Sequence, residues 1–154
     1  HGLPERIIKA GDPYQAQVER TAKAIADAIG GIDWTVCYQS RVGPLKWIGP
    51  STDAENERAG HERRSIVLYP LSFVSEHSET LVELDMEYRH LAEKSGVPFY
   101  VRVPTVGTHP LFIAGLADRV RAIMADQDVA LCHGASSMPC GHQHVGCPLI
   151  APRL

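Results

Sequence analysis

The chain has 154 residues, of which 44% are hydrophobic and 21% charged, and its formal net charge is −3. That length suits one compact domain, and the balance excludes a disordered or collagen-like chain. The small negative charge leaves no electrostatic footprint for nucleic acid or an anionic membrane surface, and the longest weakly polar stretch, 103–117, is too short and too broken by Pro104 and Pro110 to span a bilayer.

Residues 12–30 predict a helix. Asp12 can cap it, Pro13 suits the first helical position and Gln15 completes a capping-box spacing. Val18, Ala22, Ile25 and Ile29 then form one apolar stripe, and Gly30 with Gly31 ends it. Residues 34–39 are short, β-branched and aromatic, which predicts a strand. Residues 40–52, rich in Gly and Pro and carrying Trp47, predict a loop. Residues 53–63 are weakly helical, with Asn56 where an apolar residue would have served the stripe.

A second strand is predicted over 65–71, its nearly continuous apolar run suiting burial on both faces. A helix follows over 76–94, closed by Gly96, then a strand over 99–103. A last helix covers 110–125, with Leu111, Leu116, Val120 and Ile123 facing inward. Strands alternating with helices predict an α/β fold with a parallel sheet in right-handed crossovers. The loop 1–11 would ordinarily be entered from a strand. The sheet therefore reads as lacking its first strand, and the chain, opening on His1, as a piece of a longer protein.

Cys37 stands alone in an apolar run, whereas Cys132, Cys140 and Cys147 fall near the end among His133, His142 and His144. The opening residues carry no secretory pattern, so a reducing compartment is expected, where clustered Cys and His suggest metal more than disulfides.

Ligands of open α/β sheets bind at the carboxyl ends of strands. Loops leaving those ends hold His1, Trp47, Phe73, His77 and Glu79, a plausible pocket with aromatic walls; Phe73 and Trp47 read equally as core. Glu79, Glu83 and Glu87 follow at i, i+4 and i+8 on the third predicted helix, so their carboxylates stack along one face. Such a row is either a solvated surface or a path for a cation, and the macrodipole by itself favours acids such as Glu76 and Glu79 at a helix start. Gly-rich phosphate loops, His-Glu-x-x-His and Gly-x-Ser-x-Gly are absent, which excludes the corresponding nucleotide, zinc-protease and serine-hydrolase readings.

Several motifs stand in order along the chain: His-Gly-Leu-Pro at 1–4 and Gly-Asp-Pro-Tyr at 11–14, Tyr-Gln-Ser-Arg-Val-Gly-Pro at 38–44 with Trp47, Ser-Phe-Val-Ser-Glu-His-Ser-Glu-Thr-Leu at 72–81 with Glu-Leu-Asp-Met-Glu-Tyr at 83–88, and His-Pro-Leu-Phe before the last helix. Together they resemble the ferrochelatase family, enzymes that insert ferrous iron into a porphyrin to form haem. The resemblance implies two Rossmann-like halves around a porphyrin cleft, with this chain as the second chelatase domain over 1–128 and a Cys/His-rich tail over 129–154.

By the same resemblance, His1 matches the active-site histidine and Glu79 the carboxylate opposite it, the pair that binds iron or takes the pyrrole protons. Glu76 stands where the family often has aspartate, beside His77. Glu83 and Glu87 match the acidic row along which metal approaches. Trp47, Phe73 and Tyr14 match positions at or near the porphyrin pocket, although Tyr14 also reads as packing the first helix. Fe2+ is then the substrate ion, and the porphyrin is protoporphyrin IX or coproporphyrin III. The implied partners are the missing N-terminal half and a second copy in a homodimer, and the implied place is the cytoplasm or the periphery of the inner membrane.

The chemistry suits these residue types. Two pyrrole N–H protons leave as a divalent ion enters, and imidazole, with an unperturbed pKa of about 6.5, can be base or ligand near neutrality. Carboxylates deliver ferrous iron without the tight binding of thiolates, and apolar walls can hold and bend the macrocycle.

Cys132, Cys140 and Cys147 resemble the C-terminal cysteines by which some ferrochelatases hold a 2Fe-2S cluster, with the fourth ligand outside this chain. A zinc site using His142 or His144, and a tail without metal, are the competing readings. For the whole protein the alternatives are a cobalt chelatase of similar fold and a non-catalytic metal-binding fragment.

Overall fold

In a computed structural model of the chain, the structure describes residues 1–40, 43–125 and 144–147. The described elements run α1 (Glu5–Lys9), α2 (Tyr14–Ile29), α3 (Thr52–His61), β1 (Ile66–Leu68), a π-helix (Glu79–Glu87) continuing into α4 (Tyr88–Ser95), β2 (Tyr100–Arg102) and α5 (Pro110–Ala125). Strands β1 and β2 pair in parallel with Ile66 opposite Tyr100 and Leu68 opposite Arg102, and helices intervene between them, as expected of an α/β half. The chain falls into two compact units, one of His1–Glu5 with Val18–Gly107 and one of Arg6–Gln17 with Thr108–Leu154. The expected boundary after residue 128 lies outside the described residues.

In the first unit the core gathers Ala59 of α3, Ala92 of α4, Val97 and Tyr100, with Ile66, Leu68 and Tyr88 packed around them. The two helices approach closely because α3 carries a glycine at the contact. A Cβ on Gly60 would lie 2.2 Å from the carbonyl oxygen of Ser95. Ser51 caps α3 through its side-chain oxygen, which accepts the Ala54 N–H at 3.2 Å, and Gly96 ends α4 in the left-handed region at φ 90°.

Three expectations about the first unit need correction. Residues 34–39 form no strand: among the described residues Tyr38 makes a single bridge to Ser51, and Trp34 is exposed. A β-branched run becomes a strand only where a neighbour completes its hydrogen-bond ladder. Strand β1 is shorter than expected and is not buried on both faces, for Val67 is 68% exposed. Asn56, at the position where the stripe called for an apolar residue, is buried and donates through Nδ2 to the Thr52 carbonyl at 2.8 Å.

The third correction concerns the third helix, which begins later than residue 76 and in a wider coil. Residues before Glu79 are drawn into other bonds: Glu76 accepts the Thr105 N–H at 2.9 Å, and the Thr80 hydroxyl donates to the His77 carbonyl at 3.0 Å. From Glu79 the bonds run i→i+5, up to the Tyr88 N–H on the Glu83 carbonyl. Passing from that register to the i→i+4 bonds of α4 leaves one carbonyl more than there are amides to serve them. At this junction the buried Tyr100 hydroxyl donates to the Leu84 carbonyl at 2.7 Å, and Arg89 Nε donates to the Asp85 carbonyl at 3.0 Å. A side chain of β2 thus completes the backbone bonding of the wide helix.

In the second unit, Asp12 accepts the Tyr14 N–H at 2.8 Å, the cap expected for α2. Gly11 sits at φ 97°, and a Cβ there would come within 2.6 Å of Val145, so this position requires glycine. The expected inward stripe of α5 is not covered: Leu111 is 78% exposed, and Leu116, Val120 and Ile123 are exposed as well. Among the described residues no element buries that face. Most of α2 belongs to the first unit, where Val18 and Ala26 are buried while Ile29, at its end, is exposed.

Candidate active site

His1 is placed by the chain that follows it. The Gly2 N–H donates to the Gln39 carbonyl at 2.9 Å, the Ile48 N–H to the Leu3 carbonyl at 2.9 Å, and the Glu5 N–H to the Lys46 carbonyl at 2.8 Å. Pro4 and Trp47 form an antiparallel bridge within this lacing. Residues 1–5 are thereby threaded along the loop that carries Trp47, whose buried indole N–H has no hydrogen-bond partner among the described residues.

The imidazole of His1 reaches the first residue of the π-helix: Nε2 lies 2.6 Å from Glu79 Oε2. Phe73 stands between two imidazoles, its ring centroid 5.7 Å from that of His1 and 4.6 Å from that of His77, both tilted or edge-on. Such offset geometries are the favourable ones for aromatic rings. Half-buried Phe73 is therefore a wall that fixes both imidazoles. His77 accepts the Glu79 N–H on Nδ1 at 3.2 Å, which leaves Nε2 as the nitrogen that carries the proton of the neutral ring.

Glu83 lies one turn on. Its Oε2 accepts the Gln39 side-chain amide at 2.8 Å and the Ser40 hydroxyl at 3.3 Å, and among the described residues no cation pairs with it. Gln39, only 7% exposed, also donates to the main-chain carbonyl of Glu79 at 3.3 Å. Ser40 holds φ at 56°, a left-handed conformation uncommon for a residue with a side chain. Glu87 is exposed at the end of the π-helix.

Behind this row stands Arg102 at the end of β2. Its guanidinium binds both oxygens of Asp85, at 2.7 and 2.6 Å, and donates to Glu76 Oε1 at 2.9 Å, while only 8% of its side chain is exposed. The Thr105 N–H, the Thr80 hydroxyl and Arg102 hold the Glu76 carboxyl down at about 2, and the hydrogen bonds of Arg102 lower that of Asp85. These two carboxylates belong to an internal clamp and are already satisfied. Glu79, Glu83 and Glu87 are the carboxylates of the π-helix that Arg102 does not hold.

The structure therefore brings together His1, Glu79, Phe73 and His77, with Glu83 joined through Gln39. Among the described residues no three His, Cys, Asp or Glu side chains converge closely enough to enclose an ion. Tyr14 belongs to the second unit, at the start of α2. Cys147, also there, is buried with its N–H on the His144 carbonyl at 2.8 Å; Cys132 and Cys140 lie outside the described residues. Gln39 and Arg102 were not singled out from the sequence. The place of Gln39 in the motif at 38–44 was the available signal, whereas nothing in the local pattern marks Arg102.

Fold and site together define an α/β protein of the class to which chelatase halves belong, with one imidazole set against one carboxylate at the head of an acidic helix. The sequence pattern of the ferrochelatase family matches residues 1–124. The chain is 58% identical over 142 residues to a ferrochelatase of Caulobacter vibrioides (strain NA1000 / CB15N), covering 92% of this chain and 40% of that protein. It is 48% identical over 148 residues to one of Phenylobacterium zucineum (96% and 43%), and 56% identical over 120 residues to one of Wolbachia pipientis wMel (77% and 37%). The chain belongs to the ferrochelatase family. It spans about 40% of the length of the curated relatives it matches.

Proposed function

We propose that this chain supplies the metal-binding half of an enzyme that inserts ferrous iron into a porphyrin, either protoporphyrin IX or coproporphyrin III, in haem formation. The remainder of the site would come from a segment corresponding to the rest of the relatives' length. The observation that carries the reading is the 2.6 Å contact of His1 with Glu79 in a chain of this family.

As the divalent ion displaces two pyrrole protons, the His1 imidazole accepts them in turn and passes them to solvent, its side chain being 45% exposed. The Glu79 carboxylate stabilises the imidazolium that forms. Glu83 and Glu87 guide the ion inward by charge, and Phe73 and Trp47 offer apolar surface to the macrocycle. The direct test is anaerobic incubation of the full-length protein with Fe2+ and each porphyrin, following loss of porphyrin fluorescence. Formation of haem supports the reading. Insertion of cobalt alone into a less oxidised tetrapyrrole, or metal binding without any insertion, overturns it in favour of a cobalt chelatase or a non-catalytic module.

For the tail, we infer that Cys132, Cys140 and Cys147 contribute three of the four thiolates of a 2Fe-2S cluster, the fourth lying outside this chain. The buried thiol of Cys147 suits a ligand shielded from water. A red-brown visible spectrum of anaerobically purified protein supports the cluster; colourless protein with stoichiometric zinc assigns the site to zinc instead.

A further inference from the structure

One residue ties the segment that carries His1 to the start of the π-helix that carries Glu79. The main-chain carbonyl of Gln39 accepts the Gly2 N–H at 2.9 Å, which fixes the segment carrying His1. Its side-chain amide donates to the Glu79 carbonyl at 3.3 Å and to the Glu83 carboxylate at 2.8 Å, which fixes the start of the π-helix. Gln39 is 7% exposed, so its amide exchanges these partners for water only at a cost. Ser40 adds its hydroxyl to the same Glu83 oxygen at 3.3 Å from a backbone held at φ 56°. Residues kept in such a conformation carry strain that the surrounding structure must hold, and they concentrate at functional sites.

The chemistry of the two donors matters as much as their geometry. An amide and a hydroxyl orient a carboxylate without cancelling its charge, whereas the neighbouring Asp85 and Glu76 are neutralised by Arg102. Glu83 is thus oriented by neutral donors, and among the described residues no cation pairs with it.

We propose that Gln39 is a positioning residue for metal delivery: its main chain and side chain set the register of His1 against the π-helix, and with Ser40 it holds the Glu83 carboxylate aligned to pass a divalent cation to the His1–Glu79 pair. This rests on the function proposed above, and the test separates the two. In the full-length protein, Gln39→Met keeps the bulk of the side chain but removes the amide, and Ser40→Gly removes the hydroxyl while accepting the same backbone angle. Loss of partners of this kind typically costs about 10- to 100-fold in metal affinity or activity.

The expected result is a rise of about tenfold or more in the KM for Fe2+ in Gln39→Met, and a smaller rise in Ser40→Gly, with the KM for porphyrin changed less than about twofold. Unchanged metal kinetics in a folded Gln39→Met protein overturns the proposal. So does an equal loss for metal and porphyrin, which marks a merely structural role. Titration with Co2+ alone, read by its visible absorption, gives a readout that does not require turnover. If the unaltered protein inserts no metal, the proposed function fails, yet weaker Co2+ binding by Gln39→Met still supports the positioning role and equal binding overturns it.

Discussion

Nε2 of His1 lies 2.6 Å from Oε2 of Glu79, although 78 positions separate them in the chain. Three main-chain bonds lace residues 2, 3 and 5 to a loop, and the π-helix presents Glu79 from the other side. The pair is therefore a product of tertiary structure: neither partner is held by its sequence neighbours alone.

If the acidic row is a route for the ion, Glu83→Gln in the full-length protein slows metal insertion at low Fe2+ by about tenfold, while porphyrin affinity stays within about twofold. Steady-state kinetics with each substrate varied in turn checks this. Equal effects on both substrates, or none, would return the row to a solvated face.

Arg102 holds the π-helix through Asp85 and the segment before it through Glu76. Arg102→Met removes the cation and leaves Asp85 and Glu76 without it. A fully buried pair broken in this way costs about 3–5 kcal/mol. Here the two carboxylates keep 28% and 33% exposure, so the expected loss is smaller, about 2–3 kcal/mol, read from urea unfolding.

The carboxyl of Glu76, held at about 2 in the folded chain against 4.5 ordinarily, couples stability to pH. The folded state binds fewer protons than the unfolded one in that window, so stability rises with pH there. The advantage of the unaltered protein over Glu76→Gln is therefore complete above about pH 4.5 and lost as pH falls towards 2. Urea melts of both proteins at pH 7 and pH 3 give the comparison, and the gap between them should narrow at the lower pH.

Gly60→Ala tests the packing of α3 on α4. The added methyl meets the Ser95 carbonyl, a backbone atom that cannot swing aside. Overpacking of this severity is expected to cost about 3 kcal/mol or more. A melting temperature close to that of the unaltered protein would show that the helices separate easily.

The helices were legible wherever caps and glycines punctuate them. Asp12 at the start of α2, Gly96 after α4 and Pro110 at the start of α5 stand where local chemistry sets an end. The strands were legible only as extended runs, because a strand is completed by its neighbour; residues 34–39 have the side chains of a strand without the ladder. The π-helix could not be read from spacing, since Glu79, Glu83 and Glu87 fall along one side in either coil. Groups outside the segment complete it: Tyr100 of β2 takes up the Leu84 carbonyl, and Arg102 holds the Asp85 carboxylate. His1, Glu79 and Phe73 were legible through residue type and motif, whereas the roles of Gln39 and Arg102 depend on which groups the fold brings to them.

The central claim is that His1 and Glu79 together carry the chemistry of metal insertion. The most direct measurement is the rate of Fe2+ insertion into porphyrin by the full-length protein carrying His1→Ala, with circular dichroism to confirm the fold. A fall in kcat of about a hundredfold or more, with the fold retained, is the predicted result. A folded His1→Ala protein that inserts iron at the unaltered rate would contradict it.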